Sequence, residues 1–94
     1  MIINDLIKLL EQFAPPSLQE DYDNAGLITG NADWNCTGAI ISLDVTADVV
    51  NEAIEKKCNL IIAHHPIIFR GLKKITGKNY VEQTIIIAIK NDIA

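Results

Sequence analysis

Apolar side chains recur at Ile3, Leu6, Ile7, Leu10 and Phe13, at steps of three or four residues. That spacing lines one face of an α-helix, and Asn4 and Asp5 in the first turn suit the positive end of its dipole. Pro15 and Pro16 end it, because proline has no amide to donate and clashes with the turn before it. Ser17 and Glu20 stand at capping-box spacing and predict one short helical turn ahead of the acidic run Glu20, Asp21 and Asp23. Gly26 then releases the chain into Leu27 and Ile28.

A different pattern begins at Ala39. Ala39-Ile40-Ile41-Ser42-Leu43 predicts a strand that ends at Asp44, and Thr46 is a natural N-cap for the helix after it. Along that helix Val49, Val50, Ala53, Ile54 and Cys58 form one apolar stripe, opposite Asn51, Glu52, Glu55 and Lys56. Leu60-Ile61-Ile62-Ala63 is too short and too apolar for an amphipathic helix and predicts a buried strand. Residues 39–65 therefore make a strand, helix, strand crossover, which brings its two strands together in parallel.

Pro66, Gly71, Gly77 and several lysines mark residues 66–79 as a loop. Residues 81–90 have the length of a helix, but Val81, Ile85, Ile86, Ile87, Ala88 and Ile89 cover nearly its whole circumference. A helix of that kind calls for packing partners on more than one side, and Ile85, Ile86 and Ile89 are the side chains expected to seek them. Asn91 and Asp92 end it, and Ile93-Ala94 looks like the first step of a further strand. The predicted fold class is α/β: a layered sandwich containing a βαβ unit with a mainly parallel sheet, the amino-terminal part of a larger α/β protein.

Ninety-four residues suffice for one domain with a thin core, and 49% hydrophobic content excludes a disordered tail. A net charge of −4 gives no basic footprint for nucleic acid. No apolar stretch approaches the roughly 18 residues of a membrane span, and Met1-Ile2-Ile3-Asn4-Asp5 lacks the basic start of a signal peptide. A cytoplasmic protein is the expectation. Cys36 and Cys58 form neither a C-x-x-C motif nor a disulfide framework, and Cys58 is expected to act as a small buried hydrophobe.

The chemistry concentrates at His64-His65, the only histidines, placed at the end of the apolar strand and stopped by Pro66. In a parallel sheet this end and Asp44 share the carboxyl edge, where α/β proteins keep their ligands. Adjacent residues of a regular strand point to opposite faces, so the pair suits two neighbouring ions, or one ion and a substrate, better than one chelated ion. From the residues alone two readings stand: metal ligands, or hydrogen-bonded polar side chains that close a strand. For Asp44 a turn residue bonding the backbone near Thr46 is favoured over a metal ligand. The acidic run is best explained as a solvated turn. Between Gly71 and Gly77-Lys78 lie five residues instead of four, and Asn79 replaces the magnesium-binding Ser or Thr, which excludes a Walker A loop. Lys73, Lys74 and Lys78 form a small basic patch on a solvated loop.

Four blocks stand in order: Asp23-Asn24-Ala25-Gly26-Leu27, Ser42-Leu43-Asp44-Val45-Thr46, Leu60-Ile61-Ile62-Ala63-His64-His65-Pro66-Ile67-Ile68-Phe69, and Leu72-Lys73-Lys74-Ile75-Thr76. Together they resemble the amino-terminal part of the Nif-three-like family of dinuclear metal-centre proteins, also called GTP cyclohydrolase I type 2 homologues. The histidine block is the most specific, and Tyr22 stands where family members usually carry tryptophan. The resemblance implies that residues 1–94 are the amino-terminal α/β part of such a protein, with His64 and His65 as metal ligands. It implies two divalent transition-metal ions per full-length chain, zinc, iron, manganese or nickel, in a homohexamer without nucleic-acid or membrane partners. The family completes its site with an aspartate beyond a His-Thr-Asn segment and with a distal histidine and glutamate, none of which falls within residues 1–94.

Two functions follow from the resemblance. One is a metal-binding protein of the GTP cyclohydrolase I type 2 homologue family whose catalytic activity is unproven. The alternative is a metal-dependent hydrolase acting on a nucleotide-like substrate such as GTP, in which the ions activate water and polarise a substrate oxygen.

Overall fold

The computed structural model describes residues 1–13, 26–67 and 72–94. The readings at Pro15, Pro16, Ser17, Glu20 and the acidic run lie outside these residues, as do positions 68–71 of the loop. Helix α1 spans Ile3–Phe13, as its apolar period requires. Its start is tied down by backbone bonds: Ile3 N donates to Trp34 O at 2.9 Å and Cys36 N to Met1 O at 2.8 Å, around an antiparallel bridge between Ile2 and Asn35. Ile3 is fully buried there, whereas Leu10 and Phe13 are exposed. Only the first turn of the predicted apolar face is covered by described residues.

Strands β1 (Ala39–Ser42) and β2 (Leu60–Ala63) pair in parallel, Ala39 beside Leu60 and Ser42 beside Ala63. Helix α2 (Ala47–Glu55) makes the crossover between them. Thr46 caps it as read, its side-chain oxygen accepting from Val49 N at 3.3 Å. Of the predicted stripe, Val50 and Ala53 are fully buried, while Ile54 stands at the exposed margin. The opposite face is solvated and carries the 2.9 Å Glu52–Lys56 pair.

Helix α3 runs Tyr80–Lys90, one residue longer than its apolar pattern indicated. Asn79 Oδ1 accepts from Glu82 N at 2.9 Å, and Asn79 Nδ2 donates to Glu82 Oε2 at 2.8 Å. Glu82 Oε1 also accepts from Thr76 N at 2.8 Å, so the buried carboxylate ties the loop to the helix start. The Thr76 amide, above all, holds the Glu82 carboxyl below the ordinary glutamate value; the Lys78 and Gly77 amides and the Thr76 hydroxyl act the same way, against the opposing effect of burial. The apolar circumference of α3 resolves into one buried side. Thr84, Ile85 and Ala88 face inward and Ile89 is exposed, so of the side chains expected to seek packing partners Ile85 finds its cover within its own chain.

Both α2 and α3 end in the same way. Cys58 N donates to Ala53 O and Lys57 N to Ile54 O; Ile93 N donates to Ala88 O and Asp92 N to Ile89 O. This is the Schellman pattern, with Lys57 and Asp92 at positive φ where glycine is usual. Each ending turns the chain back toward the sheet. After the second, Ala94 N donates to Asn59 O and Ile61 N to Ala94 O, both at 2.8 Å, the ladder of a parallel neighbour on the free side of β2. Ile93-Ala94 thus takes the first step of a strand, as its sequence suggested.

The core lies between the helices and one face of the sheet. Val50, Ala53, Ala88 and Ile93 form its centre, with Ile40, Val45, Cys58, Ile61 and Ile87 packed around them. Gly38 admits the chain beside Cys58, since a Cβ there would stand 2.9 Å from the Cys58 sulfur. Among the described residues no helix is long and apolar enough to cross a membrane.

Candidate metal centre

The register of the sheet decides which side chains meet at its carboxyl edge. Ser42 stands beside Ala63, and two residues further along each chain come Asp44 and His65. Pairing persists past the regular strands, with His64 N donating to Ser42 O at 3.1 Å and His65 N to Leu43 O at 2.9 Å. Asp44 Oδ1 and His65 Nδ1 accordingly lie 2.7 Å apart. The sequence reading that turned Asp44 back onto the backbone near Thr46 is corrected here: the backbone bonds at the two chain ends bring its carboxylate beside the His65 ring, and the imidazole takes it.

The chain bends at His64 and His65, and the two rings come together with centroids 4.8 Å apart and planes inclined by 54°. A regular strand would have sent them to opposite faces. Both histidines are exposed, the His65 side chain at 48%. An ionised carboxylate can only accept, so the short contact to Asp44 requires a proton on Nδ1 of His65. In the neutral ring the Nε2 lone pair then remains for a Lewis acid. Two imidazole nitrogens, one with a carboxylate behind it, are donors suited to zinc, iron, manganese or nickel. The donor set therefore fits one wall of a metal centre. Among the described residues no group of three or more His, Cys, Asp or Glu side chains is arranged to hold a metal.

The other candidates stand apart from this chemistry. Cys58 is half-buried against the core, as a small hydrophobe should be. Lys73, Lys74 and Lys78 are exposed on the loop before α3. Among the described residues, the partner that the sequence reading missed is Asp44 for His65; the sequence placed both on the same sheet edge without giving the register that joins them.

The family description Duf34/NIF3 (NGG1p interacting factor 3) matches residues 1–94. The chain belongs to the Duf34/NIF3 family. Relatives include the GTP cyclohydrolase 1 type 2 homolog of Clostridium acetobutylicum, 46% identical over 91 residues, which cover 97% of this chain and 34% of that protein. The Staphylococcus aureus homolog of the same name is 48% identical over 80 residues, covering 85% of this chain and 22% of that protein. Among solved structures, a Staphylococcus aureus protein superposes with a TM-score of 0.93 at 45% identity, over 99% of this chain and 26% of that one. A Bacillus cereus protein related to NIF3 gives 0.92 at 40%, with the same coverage. The chain thus spans about a quarter to a third of these Duf34/NIF3 relatives, and the α/β fold read from its sequence is the fold of the matching portion.

Proposed function

We propose that His64 and His65 are ligands of a dinuclear transition-metal centre at the carboxyl edge of the parallel sheet. The observation that carries this reading is the exposed pair of imidazoles, 4.8 Å apart, one of them anchored through Nδ1. Ions in two-metal sites lie about 3.5–4 Å apart, a spacing at which each ring serves its own ion. The remaining ligands are assigned to the part of a longer chain that the matched relatives possess and residues 1–94 do not. The parallel ladder at Ala94 supports this, because a strand continuing from it beside β2 would reach the same edge as His64 and His65.

When bound, such ions lower the pKa of a bridging water and polarise a substrate oxygen. The name carried by the relatives, GTP cyclohydrolase 1 type 2 homolog, favours GTP as the first substrate to assay. A homohexameric assembly belongs to the same reading.

Metal analysis of the full-length protein tests the assignment. Close to two transition-metal ions per chain are expected, and the His64→Ala, His65→Ala double variant should lose most of them while its thermal melt stays cooperative. Unchanged metal content in the double variant would refute the ligand assignment.

A further inference from the structure

We propose that Asp44 is a positioning residue for the metal centre, fixing the tautomer and direction of His65 without itself touching the ion; this rests on the ligand reading of His65. Neutral imidazole carries its proton on either nitrogen, and which one is set by the hydrogen bond that the other atom makes. The 2.7 Å contact to the acceptor Asp44 Oδ1 places that proton on Nδ1 and leaves Nε2 as the lone-pair nitrogen of the neutral ring. A carboxylate behind a histidine also raises its basicity as a ligand.

The backbone brings the two residues together. Asp44 and His65 each follow the paired ends of β1 and β2 by two residues, and backbone bonds from His64 and His65 to Ser42 and Leu43 hold the two bending chain ends side by side. Among the described residues the His64 ring makes no such contact with a carboxylate. The two histidines are therefore unequal, and Asp44 makes the difference.

The test measures zinc affinity of the full-length protein by competition with a chelator, for Asp44→Ala, Asp44→Asn, His65→Ala and the Asp44→Ala, His65→Ala double variant. Asp44→Ala should weaken zinc binding 10- to 100-fold, the usual effect of removing such a partner. Asp44→Asn, which keeps an acceptor for Nδ1–H, should fall between it and the wild type. In the His65→Ala background, Asp44→Ala should change nothing further. A wild-type affinity in Asp44→Ala, alongside a loss in His65→Ala, would overturn the positioning role alone. An equal loss from Asp44→Ala in both backgrounds would overturn it in favour of a merely structural role. Zinc binding unaffected by His65→Ala would defeat the ligand reading and this proposal with it.

Discussion

Val49 and Val50 are neighbours on α2, both assigned by the sequence to one apolar stripe, yet only Val50 is fully buried. Replacing each by alanine gains about the same helix propensity, roughly 0.5 kcal/mol, so their difference isolates burial. At Val50 the loss of two methyl groups removes about 1.6 kcal/mol of transfer free energy. A residual cavity of roughly 40 Å³ among Ala53, Ala88 and Ile93 adds about 1 kcal/mol. Net of propensity, Val50→Ala should destabilise by about 2 kcal/mol. Half-buried Val49 loses only about half the transfer term and no closed cavity forms, so Val49→Ala should cost about 0.3 kcal/mol. Urea unfolding followed by circular dichroism would measure both, with the dependence on denaturant unchanged if the unfolded states are alike. Variants within about 0.5 kcal/mol of each other, the usual additivity error, would refute the placement of the core between α2, α3 and the sheet.

Glu82 predicts an acid limb. Its folded pKa lies below the ordinary value, so its contribution to stability is fully present above the unfolded pKa and is lost as pH falls through the folded one. Glu82→Gln should flatten the fall in melting temperature over that acidic range, and an unaltered profile would count against the capping carboxylate. Gly38→Ala puts a methyl group 2.9 Å from the Cys58 sulfur and should destabilise by about 1–3 kcal/mol. Cys58→Ala in the same chain should recover much of that cost; a simple sum of the two single effects in the double-mutant cycle would show that the sulfur is not the obstacle.

How far the sequence alone carries can be judged from particular residues. The 3.6 period of α1, the Thr46 cap, and the apolar brevity of Leu60–Ala63 are local signals, because capping and amphipathic spacing act within a turn or two of chain. The parallel pairing of β1 and β2 followed from them, since a helix between two strands leaves few other connections. The histidine pair was visible as a motif, and its place at a strand end followed from the element order. What local pattern could not supply was lateral register. Asp44 could serve the turn at Thr46 or reach across to His65, and only the alignment of Ser42 with Ala63 chose the imidazole. The two Schellman endings were hidden because Lys57 and Asp92 occupy positions where glycine would have been the signal. Along α3, a nearly continuous apolar circumference left the inward side undefined until α2 packed against it and Ala88 joined the core. Periodicity thus determined the elements and their order, whereas contacts between residues distant in sequence decided which faces were buried and which side chain stands behind His65.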